Sequence, residues 1–265
     1  MTEFLSSSFL AFIQGATEFL PISSSAHLVI VPHIFGWRDQ GLAFDIAVHA
    51  GTLAASLTYF RDDIRKILVA WLKSLSGRDD SAEAKMGWLI VIASIPVALA
   101  GALFHELVEN ELRSPVVIAS ATVLFALLLW YADRFRRGGR SLNSLSWKDA
   151  VLIGLGQAVA LIPGTSRSGM TITVGLLLGL SRKESAKFAF LLAIPAIAMA
   201  GGWQFLTLVT SDSVTDWPVF AYSAVISAVV AYLCIRCFLQ FIERVGMMPF
   251  VLYRLALGAA IFLLV

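Results

Sequence analysis

Pro163-Gly164-Thr165-Ser166-Arg167-Ser168-Gly169 interrupts two apolar segments, Ala150 to Ile162 and Met170 to Leu180. Hydroxyls, glycines and one guanidinium in such surroundings decide how the chain is laid out. An arginine at the centre of a bilayer costs from about 2.5 kcal/mol on insertion scales to more than about 10 kcal/mol on an isolated helix, so Arg167 is expected to face a polar cavity and a partner. The partner that suits arginine, hydroxyls and backbone N–H groups together is an anion such as phosphate.

Outward from this stretch the chain is mostly apolar. With 58% hydrophobic and 14% charged residues over 265 positions, a water-soluble globule is excluded and a polytopic helical membrane protein is expected, with the lipid bilayer as its surroundings. The net charge of +2 gives no argument for nucleic acid. The first thirty-seven residues carry no Lys or Arg, so the basic start of a cleavable signal peptide is missing and this segment is expected to be retained. Cys234 and Cys237 lie in an apolar run without a second Cys or His pair, which suits packing better than a metal or redox site.

Six spans are expected, at residues 42–60, 87–104, 115–131, 188–209, 218–241 and 247–265, each near the roughly 20 residues a crossing needs. Arg61, Arg65, Lys66, Lys73, Arg78 and Lys85 fall in one connection, and Arg134, Arg136, Arg137, Arg140 and Lys148 in another, so both are expected to be cytoplasmic. The loop 105–114 sets Arg113 against Glu106, Glu109 and Glu111, and the loop 210–217 has no basic residue, so both are expected outside. The basic groups at Lys148 and at Arg182, Lys183 and Lys187 belong on one side, yet too few residues separate them for two crossings of about 20 residues each. A re-entrant pair of half-helices breaking at Pro163-Gly164 meets both demands, provided the break is buried in protein or lines a cavity.

Residues 4–36 repeat the pattern, with Pro21 as the break. Laying Pro21 on Pro163 puts Ser23 on Thr165, Ser24 on Ser166 and Ser25 on Arg167. The expectation is an all-α polytopic membrane protein of six transmembrane helices plus two re-entrant helical hairpins in an inverted-topology repeat. Residues 1–135 form the first repeat, with its hairpin at 4–36; residues 147–265 form the second, with its hairpin at 149–180; together they make one membrane domain.

Such repeats bring both breaks to the midplane, where half-helix N-termini attract anions. Ser23 and Thr165 are the expected N-caps, with capping itself their plainest role. Gln14 and Glu18 are four apart and share a face. A buried Glu18 needs a partner, either Arg167 or a divalent cation bound with Gln14; Mg2+ or Ca2+ suits such oxygens and would bridge phosphate. Ser24 and His27, three apart at the start of the next half-helix, have the parts of a nucleophile and its base. Gln157 either lines the same cavity or bonds to backbone. Asp45 and His49 share a face of the third segment, where a place behind the site and an interhelical hydrogen bond fit equally. Arg236, Arg244 and Arg254 are expected to snorkel from helix ends.

At Gln14-Gly-Ala-Thr-Glu18-Phe-Leu-Pro-Ile-Ser-Ser24-Ser-Ala-His27 and Pro163-Gly-Thr-Ser166-Arg167-Ser168-Gly169-Met-Thr171 the chain resembles the undecaprenyl-diphosphate phosphatases of the bacterial cytoplasmic membrane, the bacitracin-resistance proteins. The similarity extends to Phe44-Asp45, His49-Ala-Gly51-Thr52 and Pro249-Phe-x-x-Tyr253-Arg254. The resemblance implies hydrolysis of a long-chain polyprenyl diphosphate at the outer face to the monophosphate and inorganic phosphate, with a divalent cation. It assigns catalysis to Glu18, Ser24, His27 and Arg167, with Gln14 and Ser166 beside them; from the residues themselves, phosphate binding is expected at Arg167, Ser166, Thr165, Ser168 and Ser25. Gln14 stands where many members carry a second glutamate. Ser24 is expected to attack with His27 as base; the rival has His27 activate water directly. The prenyl chain is expected to leave sideways into lipid. An inverted-repeat transporter or flippase for an anionic lipid is the alternative from another class, and a homodimer is compatible with the chain.

Overall fold

The computed structural model describes residues 2–38, 40–136, 138–210 and 215–264. Arg137 of the second basic connection, residues 211–214 of the expected outward loop and Val265 lie outside the described residues, as does the side chain of Glu109.

The chain is all-α, with eleven α-helices among the described residues: α1 (Thr2–Thr17), α2 (Ser24–Phe35), α3 (Gly41–Tyr59), α4 (Arg61–Ser74), α5 (Ala82–Asn110), α6 (Pro115–Phe135), α7 (Trp147–Val159), α8 (Arg167–Leu177), α9 (Arg182–Thr210), α10 (Trp217–Val245) and α11 (Met248–Leu264). Five of them, α3, α5, α6, α9 and α10, are long and apolar enough to cross a membrane, so the chain is a polytopic membrane protein. The last expected span is shorter than the others: α11 has 17 residues, about 26 Å at 1.5 Å per residue.

The first basic connection is not a plain loop. Its residues form α4, which turns Ile64 and Ile67 toward the core and stacks Trp71 edge-on against Trp88 of α5 at 5.7 Å. Trp88 also donates to Ser74 Oγ at 3.0 Å. Apolar residues at three- and four-residue spacing specify this helix, whose exposed side mixes Arg61, Asp62, Arg65, Lys66 and Lys73 with Leu68, Val69 and Leu72.

Both broken pairs close on themselves. Ser146 caps α7 and exchanges bonds with Asp149 in a capping box. Arg140 then ties the start of α7 to the end of α8, donating to Asp149 Oδ2 at 2.8 Å and to Leu178 O at 2.7 Å. At the other pair, Phe9 of α1 meets Phe35 at the end of α2 and Trp37 just beyond it, at 6.4 and 5.9 Å between ring centroids. The two closures sit at opposite ends of α10. Ser7 of α1 bonds the hydroxyl of Tyr222 near the start of α10, whereas Arg182, just after α8, donates to Glu243 O near its end at 3.2 Å. α1 packs on α10 and α7 packs on α5, while α3 meets α9 and α6 meets α11.

Two of these contacts depend on glycine. A β-carbon on Gly15 of α1 would lie 2.6 Å from Ser227 O of α10, and one on Gly154 of α7 would lie 2.6 Å from Ala93 O of α5. Close backbone approach of this kind is how helices pack where lipid offers no hydrophobic drive.

Candidate functional site

α1 stops at Thr17 and α2 starts at Ser24; α7 stops at Val159 and α8 starts at Arg167. The residues that start each second helix share one unusual backbone. Ser23 has φ 69° and Ser166 has φ 70°, and these are the only non-glycine residues with positive φ among the described residues. Such conformations cost about 1–3 kcal/mol each and persist where the surroundings impose them. The local hydroxyl geometry also matches: Ser23 Oγ lies 3.2 Å from Ser25 Oγ, and Ser166 Oγ lies 3.2 Å from Ser168 Oγ.

This matching corrects the proline-on-proline register by one residue. Ser23 corresponds to Ser166, Ser24 to Arg167 and Ser25 to Ser168. Gly164, at φ 90°, adds a residue to the second break. It fits only as glycine, since a β-carbon there would meet Ile118 O at 2.3 Å. The N-cap of α8 is accordingly Ser166 and not Thr165: Ser166 Oγ accepts from Gly169 N at 3.1 Å. Thr165 is fully buried and its hydroxyl has no partner. Ser23 holds the cap position of α2 without a side-chain capping bond.

Glu18 joins the two halves. Its Oε1 forms an ion pair with Arg167, and its Oε2 accepts from Ser24 Oγ at 2.6 Å and from Gln14 Nε2 at 2.8 Å. Ser168 Oγ reaches back from α8 to Leu20 O at 2.8 Å. Glu18, Ser24, Ser25, Ser166 and Arg167 therefore line one cavity of about 230 Å³. Thr165 and Ser168 stand behind it.

His27 does not pair with Ser24. Its Nδ1 lies 2.7 Å from Ser23 O, which only accepts, so Nδ1 carries the proton and donates; Nε2 then accepts from the hydroxyl of Tyr253 at 2.5 Å. The two rings lie nearly parallel, 6° apart, with centroids 5.6 Å from each other. Both nitrogens are thus engaged behind the turn that presents Ser24, and the group that takes the Ser24 hydrogen bond is Glu18.

Two residues weighed lightly in the sequence belong to this centre. His49 lines the cavity, with Nδ1 2.7 Å from Asp45 O and Nε2 3.9 Å from Glu18 Oε2. Its polar position on an apolar face was the available signal. Arg254 does not snorkel. It is wholly buried and donates to Pro21 O at 3.4 Å, Gly164 O at 3.0 Å and Thr165 O at 2.9 Å, so one guanidinium holds both breaks. Arg236 and Arg244 of α10 are exposed. Gln157 is buried with neither amide atom partnered, so it bonds no backbone carbonyl or N–H.

No cluster of three or more His, Cys, Asp or Glu that could hold a metal occurs among the described residues. The donors that remain are the Glu18 carboxylate and the Gln14 Oε1, which is buried without a partner. Oxygen donors of this type suit a hard cation only where further ligands complete its shell, because Glu18 already accepts from Arg167, Ser24 and Gln14 Nε2.

A family model described as bacitracin resistance protein BacA matches residues 7–260. An undecaprenyl-diphosphatase of Teredinibacter turnerae is 54% identical over 256 residues, covering 97% of each chain. Undecaprenyl-diphosphatase 2 of Stutzerimonas stutzeri is 53% identical over 258 residues, covering 96% of each, and the undecaprenyl-diphosphatase of Nitrosococcus oceani is 50% identical over 255 residues, again covering 96% of each.

Proposed function

The chain belongs to the BacA family of bacitracin resistance proteins, and from that membership we infer that it is a membrane enzyme hydrolysing undecaprenyl diphosphate to undecaprenyl phosphate and inorganic phosphate. The observation that carries the chemistry is the Glu18–Arg167 ion pair with Ser24 Oγ on the same carboxylate. An anion carrier needs the arginine but not a hydroxyl held against a carboxylate.

In the step we propose, the terminal phosphate of the substrate takes Arg167 as its ligand in place of Glu18. The guanidinium, the N-termini of α2 and α8 and the hydroxyls of Ser25 and Ser166 face the developing charge; Thr165 and Ser168 shape the turn that carries them. Glu18, released from the ion pair, accepts the proton of Ser24 Oγ as that oxygen bonds to the terminal phosphorus. The bond from this phosphorus to the bridging oxygen breaks, and undecaprenyl phosphate leaves with the electron pair. Water then attacks the phosphoserine, inorganic phosphate departs, and the proton on Glu18 returns to Ser24 Oγ as water gives its own to the phosphate. His27, braced by Tyr253, holds Ser23 and so aims Ser24. Mg2+ or Ca2+ would be held by Glu18 and Gln14, and it supplies neutralisation of diphosphate charge.

The architecture proposed around this site has six transmembrane helices, counting α11, and two re-entrant hairpins, α1–α2 and α7–α8, in an inverted repeat. Closure of the hairpins at opposite ends of α10 supports it, as do the matched Ser23 and Ser166 backbones. We propose that the enzyme sits in the bacterial cytoplasmic membrane with the cavity opening outward; in support, the α9 residues Ala200, Gly201 and Gln204 that line it lie toward the Thr210 end, away from the basic Arg182 end.

The test is phosphate release from undecaprenyl diphosphate by purified protein in detergent, with and without chelator. Wild type should release phosphate, Arg167→Ala should lose turnover while remaining folded, and radiolabelled phosphate should be trapped on Ser24. Near wild-type single turnover by Ser24→Ala would overturn the nucleophile assignment. No release by wild type under any metal condition would favour the carrier.

A further inference from the structure

The cavity has two unlike walls. One is polar and carries Glu18, Ser24 and Arg167; the other is formed by Ala160 at the end of α7 and by Ile197, Ala200 and Gly201 of α9. At about 230 Å³ the cavity is smaller than the roughly 300–1,000 Å³ pockets that hold drug-sized ligands. It therefore accommodates a diphosphate and little of an undecaprenyl chain, and the chain has to leave through one wall.

The cavity meets the outer surface at two places, beside Ser25 on the polar wall and along the apolar wall. Ala200 lines the cavity and is itself exposed, and Gly201 is half-buried beside it. Directly next to them stand Met199, Trp203 and Leu206, which present large apolar side chains outward; Trp203 is 65% exposed. On the opposite lip Leu155 and Val159 of α7 flank Ala160 in the same way. The rim is thus lowest where the side chains are smallest. A β-carbon on Gly201 would meet nothing within 4 Å, so the space above that glycine is open. Gln204, one turn further along α9, is the polar lining residue on this side and borders the same opening.

We infer that Ala200 and Gly201 of α9, facing Ala160, form the lateral exit through which the prenyl chain of the substrate passes from the diphosphate site into lipid. This rests on the phosphatase reading and gives α9 the part of separating headgroup from tail. The first isoprene units lie across Gly201, the remainder of the chain runs along the exposed face of α9, and no part of the chain has to be enclosed by protein. A side chain placed at residue 201 fills the exit without touching the groups that bind phosphate.

Two measurements test this on the full-length protein. In the first, Gly201→Ala and Gly201→Trp are compared with wild type for phosphate release from undecaprenyl diphosphate, with thermal unfolding as the folding control. Because residue 201 faces open space inside a helix, neither variant should unfold below the wild-type temperature. Gly201→Trp should raise KM for the long-chain substrate at least about tenfold, whereas Gly201→Ala should stay within about twofold. In the second, a prenyl diphosphate carrying a photoreactive group on its first isoprene unit is cross-linked to wild type, and the adducts are mapped by mass spectrometry. Adducts between residues 198 and 204 support the exit. Wild-type turnover combined with an unaffected Gly201→Trp and adducts confined to other helices would overturn it while leaving the phosphatase reading intact. Absence of turnover in wild type would instead remove the premise.

Discussion

Arg167 and Arg254 differ in what they hold. Arg167 faces the cavity and pairs with a carboxylate that a phosphate can replace, whereas Arg254 is spent on three backbone carbonyls at the two breaks. Hydrogen bonds from a charged donor contribute about 1.5–3 kcal/mol each, and a buried carbonyl left without a partner costs a comparable amount. Arg254→Met should therefore lower stability by several kcal/mol, read as a fall in the unfolding temperature in detergent. Arg254→Lys reaches fewer carbonyls, so it should unfold at an intermediate temperature and lose kcat more than KM, since both half-helix N-termini lose their common anchor. An unchanged unfolding temperature in both variants would contradict the anchoring role. Arg167 was legible in the sequence because it interrupts two apolar runs. Arg254 was not, because an arginine near a helix end has an inexpensive default, snorkelling, that local sequence cannot distinguish from burial. The same limit applies to His27 and Glu18. The i, i+3 spacing put Ser24 and His27 on one face, but the positive φ of Ser23 turned the Ser24 hydroxyl to Glu18, and the backbone carbonyl and Tyr253 took the imidazole.

At the scale of elements, the half-helices α1 and α7 are held by close backbone contact at Gly15 and Gly154. A methyl group at either position must push a helix away from a carbonyl 2.6 Å distant. Overpacking of this kind costs about 1–3 kcal/mol. Gly15→Ala and Gly154→Ala should each lower the unfolding temperature, and Gly15→Ala should also reduce turnover, because α1 carries Gln14 and leads into Glu18. Gly101→Ala is the control: it sits in α5 with nothing within 4 Å of its β-carbon, so it should be neutral or stabilising by up to about 1 kcal/mol. Equal effects at all three glycines would mean that helix propensity, not contact, governs them. The breaks themselves were legible from Pro21 and Pro163-Gly164. Their register was not, because Gly164 adds a residue whose conformation only the three-dimensional turn reveals. α4 was hidden for a different reason. Its charged residues mark it as a connection, and a helix of this kind is specified by a narrow apolar stripe, Ile64, Ile67 and Trp71, easily outweighed in a count of charge.

For the whole molecule, the proposed inverted repeat makes a statement about sides that no single element makes. On that proposal the end of the first hairpin near Trp37 and the end of the second near Ser144 lie on opposite faces of the membrane, which agrees with one closing at the start of α10 and the other at its end. Basic residues give the absolute direction: the connections rich in Lys and Arg should face the cytoplasm. Lys187 bonds Asp63 at 2.7 Å and Arg182 bonds Asp133 at 2.6 Å, so the basic segments of both halves are gathered on one face, as a common cytoplasmic side requires. The measurement is labelling of single cysteines by a membrane-impermeant maleimide, in a background where Cys234 and Cys237 are replaced by serine. Gly36→Cys should label in cells whose outer membrane is permeable to the reagent, and Ser144→Cys should label only after the cytoplasmic membrane is opened. Ser144 hydrogen-bonds Arg140, so retained turnover serves as the check that the substitution leaves the second hairpin in place. Labelling of both positions from the same side would refute the inverted arrangement. It would also reverse the argument for an outward-facing cavity, which depends on α9 running from the basic face at Arg182 to the opposite face at Thr210.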